Sequence, residues 1–184
     1  IILLPFFMPV VSIMLMWRWM LNDTYGIINH ILMAIGLIEN PISWLGSEET
    51  AFPTVIAISI WRYFPFVIIN VLARLQIIPL EMYEAADLDG ANGWQKFRYI
   101  TLPEISDVLT VVVILRVIFM FKKVDEIMLL TNGGPGTSTQ VLPLYSYKNA
   151  FESMQLGKGA ASSIILMVIL SVFTFLGEGG KIMI

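Results

Sequence analysis

The chain has 184 residues, of which 57% are hydrophobic and only 14% charged, and its mean hydropathy is +0.79. That composition excludes an ordinary soluble domain and places the chain in a bilayer. A formal net charge of −3 gives no support to nucleic-acid binding or capture by anionic lipid, and the absence of cysteine excludes disulfides, thiol catalysis and cysteine-ligated metal. Eleven Met and five Trp suit adaptable packing and interfacial anchoring. The first residue is Ile, with no initiator Met or basic leader, which predicts that the chain begins partway through a longer sequence.

Residues 1–20 are apolar apart from Ser12 and Arg18, and about 20 such residues cross the hydrocarbon core. This is the first predicted span. Pro5 and Pro9 are tolerated in membrane helices where neighbours supply the lost hydrogen bonds, and Trp17, Arg18 and Trp19 mark an interface. Residues 21–50 are mixed: a turn cluster at Asn22 to Gly26 precedes Ile27, Ile28, Ile31, Leu32 and Ile35 at helical spacing, which predicts a short interfacial helix. His30 on that helix has no companion ligand nearby, so no metal site is expected.

The second predicted span, 51–75, is interrupted by Arg62 and Pro65. Arg62 is either a functional residue, because an intramembrane charge is costly unless paired or hydrated, or a snorkelling side chain beside Trp61 and Tyr63. Asn70 and Arg74 follow. A third span, 105–130, carries Asp107 near its start and Arg116 inside, while Lys122, Lys123, Asp125 and Glu126 interrupt its far end and are placed at the outer interface. The run Leu130-Thr131-Asn132-Gly133-Gly134-Pro135-Gly136 has neither a preceding strand nor a following Lys-Ser or Lys-Thr, so it is a sharp turn and not a phosphate loop. The last span, 157–176, opens on Gly159-Ala160-Ala161-Ser162-Ser163, whose small residues allow close helix approach and whose hydroxyls can bond across the contact. The ending, 177–184, suggests no function.

Between the second and third spans lies a polar island, Pro79-Leu80-Glu81-Met82-Tyr83-Glu84-Ala85-Ala86-Asp87-Leu88-Asp89-Gly90-Ala91, running on through Trp94, Phe97 and Ile100 to Leu102-Pro103. It predicts a short helix and a turn. Pro79 suits the first helical position, Glu81 and Glu84 bring negative charge toward the positive end of the dipole, and Gly90 can take the left-handed helix-ending conformation. Ala85 and Ala86 leave a low surface between the apolar side chains of Met82, Tyr83, Leu88 and Trp94, as a docking element requires.

The spacing Glu84-Ala85-Ala86, three residues, Gly90, nine residues, Ile100, one residue, Leu102-Pro103 resembles the EAA loop of permease subunits in binding-protein-dependent ABC importers. Ile78-Pro79, Asp89-Gly90-Ala91, Trp94 and Phe97 resemble the carbohydrate-uptake branch, the maltose and multiple-sugar type. The turn at Asn132 to Gly136, with Leu142, Tyr145, Tyr147, Ala150 and Phe151, resembles that branch's external loop, Asn132 standing where a glycine is usual. The resemblance implies an all-α membrane protein with the MetI-like ABC importer permease helical core. It covers nearly the whole chain and corresponds to the last four helices of a core usually built from six, as an N-terminally truncated piece would.

The expected organisation is one transmembrane permease domain over 1–184, with spans at 1–20, 51–75, 105–130 and 157–176, a cytoplasmic coupling loop at 77–103, and external loops at 21–50 and 131–156. Charge does not orient it: Arg74, Lys96, Arg98 and Lys181 on the island side face Arg18, Lys122, Lys123, Lys148 and Lys158 opposite. The resemblance implies ATPase coupling through Tyr83, Glu84, Ala85, Ala86, Asp89, Gly90 and Trp94. It also implies a second permease subunit in a heterodimer, an ABC ATPase dimer holding ATP and magnesium, an extracytoplasmic binding protein, and a multi-pass place in the prokaryotic inner membrane. No phosphate loop, nucleophile elbow or metal-spaced His or Cys set is present in the sequence, so no cofactor on this chain and no enzymatic activity are expected. The implied cargo is a mono- or oligosaccharide, with a polyol or glycerophosphodiester as alternatives, and Arg62, Tyr63, Asn70 and Arg116 are candidates to line its path. Two other readings stay open: an ion-gradient-driven secondary transporter or channel using Arg62, Arg116 and Asp107, and a membrane scaffold without a path.

Overall fold

The computed structural model describes residues 3–179. Ile1, Ile2 and the tail from Gly180, Lys181 included, lie outside the described residues. Ten α-helices run in chain order among them, and no strand occurs. The first apolar stretch is broken where a single span was expected: α1 (Leu4–Phe7) stops at Met8, and α2 (Val10–Met20) starts after Pro9. Met8 and Pro9 are both extended, with ψ of 144° and 137°. The residue before a proline is pushed out of the helical region, so the break falls at Met8. The short helix expected after the turn cluster is present as α3 (Ile27–Ala34).

The long helix α4 (Glu48–Leu75) is the axis of the structure. The Ser47 side chain caps it by accepting from Glu49 N, Glu48 and Glu49 occupy the first turn, and Arg74 lies in the last, an arrangement that complements the dipole at both ends. After α5 (Leu80–Leu88) and α6 (Gly93–Lys96), a widened π-type turn at Phe97–Thr101 leads without interruption into α7 (Leu102–Met120). The widening suits Pro103, which has no N–H for the ordinary bond to residue 99 and crowds that carbonyl. The third apolar stretch also differs from expectation. Its helix ends at Met120, and α8 (Asp125–Leu130) is a separate short helix. Then come α9 (Leu142–Tyr147), a second π-type turn at Lys148–Glu152, and α10 (Leu156–Gly179).

Apolar side chains of α2, α4 and α8 meet in one core: Ile13, Met14 and Leu21 pack against Val55, Ile58 and Leu130. Trp17 and Trp61 close one side edge to face, with ring centroids 5.2 Å apart. At the other end of the chain, α10 crosses α9 closely. A Cβ at Gly159 would fall 2.6 Å from that of Ala150, and Ser146 Oγ donates to Ser162 Oγ at 2.8 Å. The small residues at the start of α10 thus make the close, hydroxyl-bridged contact expected of them. Helices Glu48–Leu75 and Leu156–Phe175 are long and apolar enough, by length and composition, to cross a membrane. By contrast, α2 has 11 residues, and the 19-residue α7 carries Glu104, Asp107 and Arg116.

Candidate functional site

Two places gather the residues singled out by sequence. The first is the island between α4 and α7. Helix α5 starts at Leu80 with Pro79 as its N-cap (φ −60°, ψ 131°), one residue later than expected. Its C-terminal exit needs Gly90, which adopts φ +76°. Nothing lies within 4 Å of where a Cβ at Gly90 would sit, so backbone conformation and not crowding selects glycine there. The expected turn then becomes a second helix, because Asn92 and Gln95 form a reciprocal capping box: Gln95 N donates to Asn92 Oδ1 at 3.0 Å, and Asn92 N donates to Gln95 Oε1 at 2.7 Å.

The island is braced internally and across its two ends by polar contacts. Tyr83 Oη and Thr101 Oγ1 are 2.9 Å apart, and Lys96 Nζ donates to Asp87 Oδ1 at 2.6 Å. Arg74, at the end of α4, donates from Nε to the Glu104 carbonyl at 2.8 Å and from Nη2 to its carboxylate at 2.7 Å, bracing the two ends of the 75–103 segment against each other. On α5, Tyr83 and Ala86 turn partly inward. Leu80, Glu84 and Leu88, each four residues apart, share the exposed stripe with 91% of Leu88 accessible. Ala85 and Asp89 are exposed too. Trp94 is 70% exposed, its ring tilted over Phe97 at 5.6 Å. Leaving Leu80, Leu88 and Trp94 in the open costs several kcal/mol of potential burial, at about 1.5–3 kcal/mol for each large apolar side chain. Leu80, Leu88 and Trp94 are thus exposed apolar side chains on a polar island.

The second place is a charged cluster between α4, α7 and α8. Arg62 does not snorkel. It is 7% exposed, with Nε 3.5 Å from Glu126 Oε1, and its Nη2 donates to the Met8 carbonyl at 3.4 Å. That carbonyl is freed by the helix break at Pro9, so the broken first stretch and the buried arginine satisfy each other. Glu126 is 3% exposed and accepts from the Tyr63 hydroxyl and from Lys123 Nζ at 3.0 Å. Arg116 lies over the Tyr63 ring, 4.0 Å from its centroid, and donates to Met120 Sδ at 3.2 Å. Glu126, expected to stand among solvated interface charges, is thus enclosed, and Lys123 is held against it. The end of α7 at Met120 turns the chain, and Lys123 in the connection and Glu126 on α8 come back toward α4, leaving Lys122 and Asp125 exposed.

Of the four path candidates, Arg62, Tyr63 and Arg116 come together. Asn70 does not: it lies seven residues on from Tyr63, about 10 Å along the helix, and its Nδ2 donates back to Phe66 O at 2.7 Å. Lys123 and Glu126 were missed by sequence reasoning. Their signal was the i, i+3 pairing of opposite charges next to an otherwise apolar run. A groove of about 510 Å³ opens beside the cluster along α4 and α7, lined by Phe52, Ile60, Tyr63, Phe64, Arg116 and Ile127 among others. Its size is that of a small-ligand site. Among the described residues no group of three or more His, Asp or Glu could hold a metal ion, and His30 stands exposed on α3.

Comparison with known proteins agrees with this geometry. The profile of the family described as "Binding-protein-dependent transport system inner membrane component" matches residues 1–178. The inner membrane ABC transporter permease protein YcjO of Escherichia coli is 41% identical over 171 residues, which are 92% of this chain and 57% of YcjO. The trehalose/maltose transport system permease protein MalF of Thermococcus litoralis is 38% identical over 174 residues, 95% of this chain and 58% of that protein. A crystal structure of a bacterial ABC transporter that imports the acidic polysaccharide alginate superposes on all of this chain with a TM-score of 0.86 and 28% identity, matching 64% of the chain compared. The chain thus spans about three fifths of the length of the curated relatives it matches. The all-helical architecture, the braced island and these matches together establish that the chain belongs to the MetI-like permease family, the inner membrane components of binding-protein-dependent transport systems.

Proposed function

We propose that this chain is the membrane-spanning part of an ATP-driven importer and that α5 is its coupling helix, docking into an ABC ATPase subunit on the cytoplasmic side. The observation that carries this reading is the exposed stripe of Leu80, Glu84 and Leu88 on α5, with Trp94 exposed on α6, held on a segment whose two ends are clamped through Arg74 and Glu104. Relatives named for trehalose/maltose transport and for diacetylchitobiose uptake support a saccharide cargo. In this reading α4, α7, α10 and the broken α1–α2 pair cross the bilayer, the loops at 21–50 and 131–156 face outward to a binding protein, and a second permease subunit completes the path. ATP and magnesium sit on the partner ATPase.

Mechanically, closure of the ATPase pair moves α5, and the Arg74–Glu104 contact passes that movement to α4 and α7 together. Packed helices then shift as rigid bodies, exposing the groove beside Tyr63 and Arg116 to the opposite side. The test is a single cysteine at Leu88 in the full-length protein, crosslinked in native membranes. Capture of an ABC ATPase, lost when Gly90 is replaced by Asp, supports the coupling role. Free reaction with water-soluble reagents and no ATPase captured overturns it, and uptake that follows an ion gradient and ignores ATP would replace it with the ion-driven reading.

A further inference from the structure

The charged cluster has a feature that neutral sugar transport does not call for: Arg62, Arg116 and Lys123 stand within 5.5, 4.0 and 4.9 Å of the Tyr63 ring centroid. Glu126 is the one carboxylate within ion-pair distance of any of them among the described residues, and it contacts Arg62 and Lys123 only. Three cations against one carboxylate leave two positive charges unmatched. Arg116 pairs with no carboxylate among the described residues, and Arg62 Nε and Nη1 are buried without a hydrogen-bond acceptor. Cation–π contact with Tyr63 offsets part of the cost, about 0.5–2 kcal/mol per contact. It does not replace a counter-charge where water is scarce. The open side of this arrangement is the groove, which Arg116 and Tyr63 line and which is otherwise apolar but for Ser59, with Phe52 and Phe64 suited to the C–H faces of a sugar ring.

From this we infer that the groove selects an anionic saccharide, one carrying a carboxylate or a phosphate, and that Arg116 supplies the charge that recognises it. The inference rests on the cargo-path reading above. Arg116 is the specificity residue because it lines the groove and pairs with no carboxylate, whereas Arg62 is enclosed and Lys123 is held by Glu126. An anion beside Arg116 lowers the excess charge of the cluster, so binding is strengthened by the same cost the empty cluster carries.

The experiment uses the intact transporter, full-length permease with its partner subunits, in detergent, and measures equilibrium binding of trigalacturonate, glucose 6-phosphate and maltotriose. At least one anionic probe is expected to bind about tenfold more tightly than maltotriose, as one recovered charge pair implies. Which anionic probe wins separates carboxylate from phosphate. Arg116→Gln should erase that preference and Arg116→Lys should retain part of it, while an unchanged melting temperature shows that the fold survives. Equal affinity for neutral and anionic probes, binding of none of them, or a preference untouched by Arg116→Gln overturns the inference. ATP hydrolysis and Leu88 crosslinking in the same preparation distinguish the cases: intact coupling with a neutral preference refutes only the anionic cargo, whereas lost coupling refutes the importer reading itself.

Discussion

Replacement of Glu126 by Ala tests the charged cluster as a structural unit. Its side chain is 4% exposed and faces Arg62, whose side chain is 8% exposed, at 3.5 Å, and Lys123, whose side chain is 28% exposed, at 3.0 Å. Truncation leaves the enclosed Arg62 with the Met8 carbonyl alone and deprives the Tyr63 hydroxyl of its acceptor. Removing one partner of a buried ion pair costs about 3–5 kcal/mol. The Arg62 contact lacks hydrogen-bond geometry and Lys123 retains some access to water, so the low end, about 3 kcal/mol, applies. At about 2–4 °C per kcal/mol for a chain of this size, the melting temperature of the purified protein should fall by about 6–12 °C. The neighbouring Asp125→Ala, exposed and unpaired with any cation in the described residues, should stay within about 0.5 kcal/mol. Adding Lys123→Met should make Glu126→Ala less costly, since one of the stranded cations is then gone. A drop below about 2 °C for Glu126→Ala, or no difference from Asp125→Ala, would refute the buried-pair account.

Four further outcomes follow from particular contacts. Gly90→Ala places a Cβ at φ +76° and should cost about 1–2 kcal/mol, with Gly90→Asn recovering part of it in a thermal melt. Asn29, buried on α3, holds the segment after that helix by donating to the Ile42 carbonyl at 2.9 Å and accepting from Ile42 N at 3.2 Å and Trp44 Nε1 at 2.8 Å. Asn29→Ala should therefore cost about 1–3 kcal/mol and open Trp44 to a water-soluble fluorescence quencher. Gly159→Val should overpack the contact with Ala150 and cost about 1–3 kcal/mol, read as a lowered melting temperature. Leu88→Glu, on the exposed face of α5, should leave stability within about 0.5 kcal/mol but abolish ATP-driven uptake and ATPase capture; unchanged uptake would remove α5 from the coupling role.

Local chemistry along the chain was enough to anticipate many elements. The apolar runs, the helical spacing from Ile27 to Ile35, the EAA spacing around Glu84 and the glycine at 90 each act over a few residues, through burial, propensity or a single required φ angle. The family and its helical architecture followed from those short-range patterns. Apolar length alone could not separate one span from two helices, because the break at Met8 depends on a proline whose freed carbonyl finds Arg62, 54 residues away. In the same way, Asp87 and Lys96 bind across the turn between α5 and α6, and Arg74 reaches Glu104 across the whole island. None of these partners is visible as a motif. The inward turn of Glu126 is the clearest case. Beside three other charges at the end of an apolar run, it has the pattern of a solvated boundary, and only the fold of α8 back onto α4 decides that it is buried. The sequence by itself determined that the chain is built of apolar helical stretches and where the polar island falls between them, since both are local properties. Tertiary structure alone decided which charges are enclosed together, because the energy of a buried ion depends on the neighbours that replace its water and not on its position in the chain.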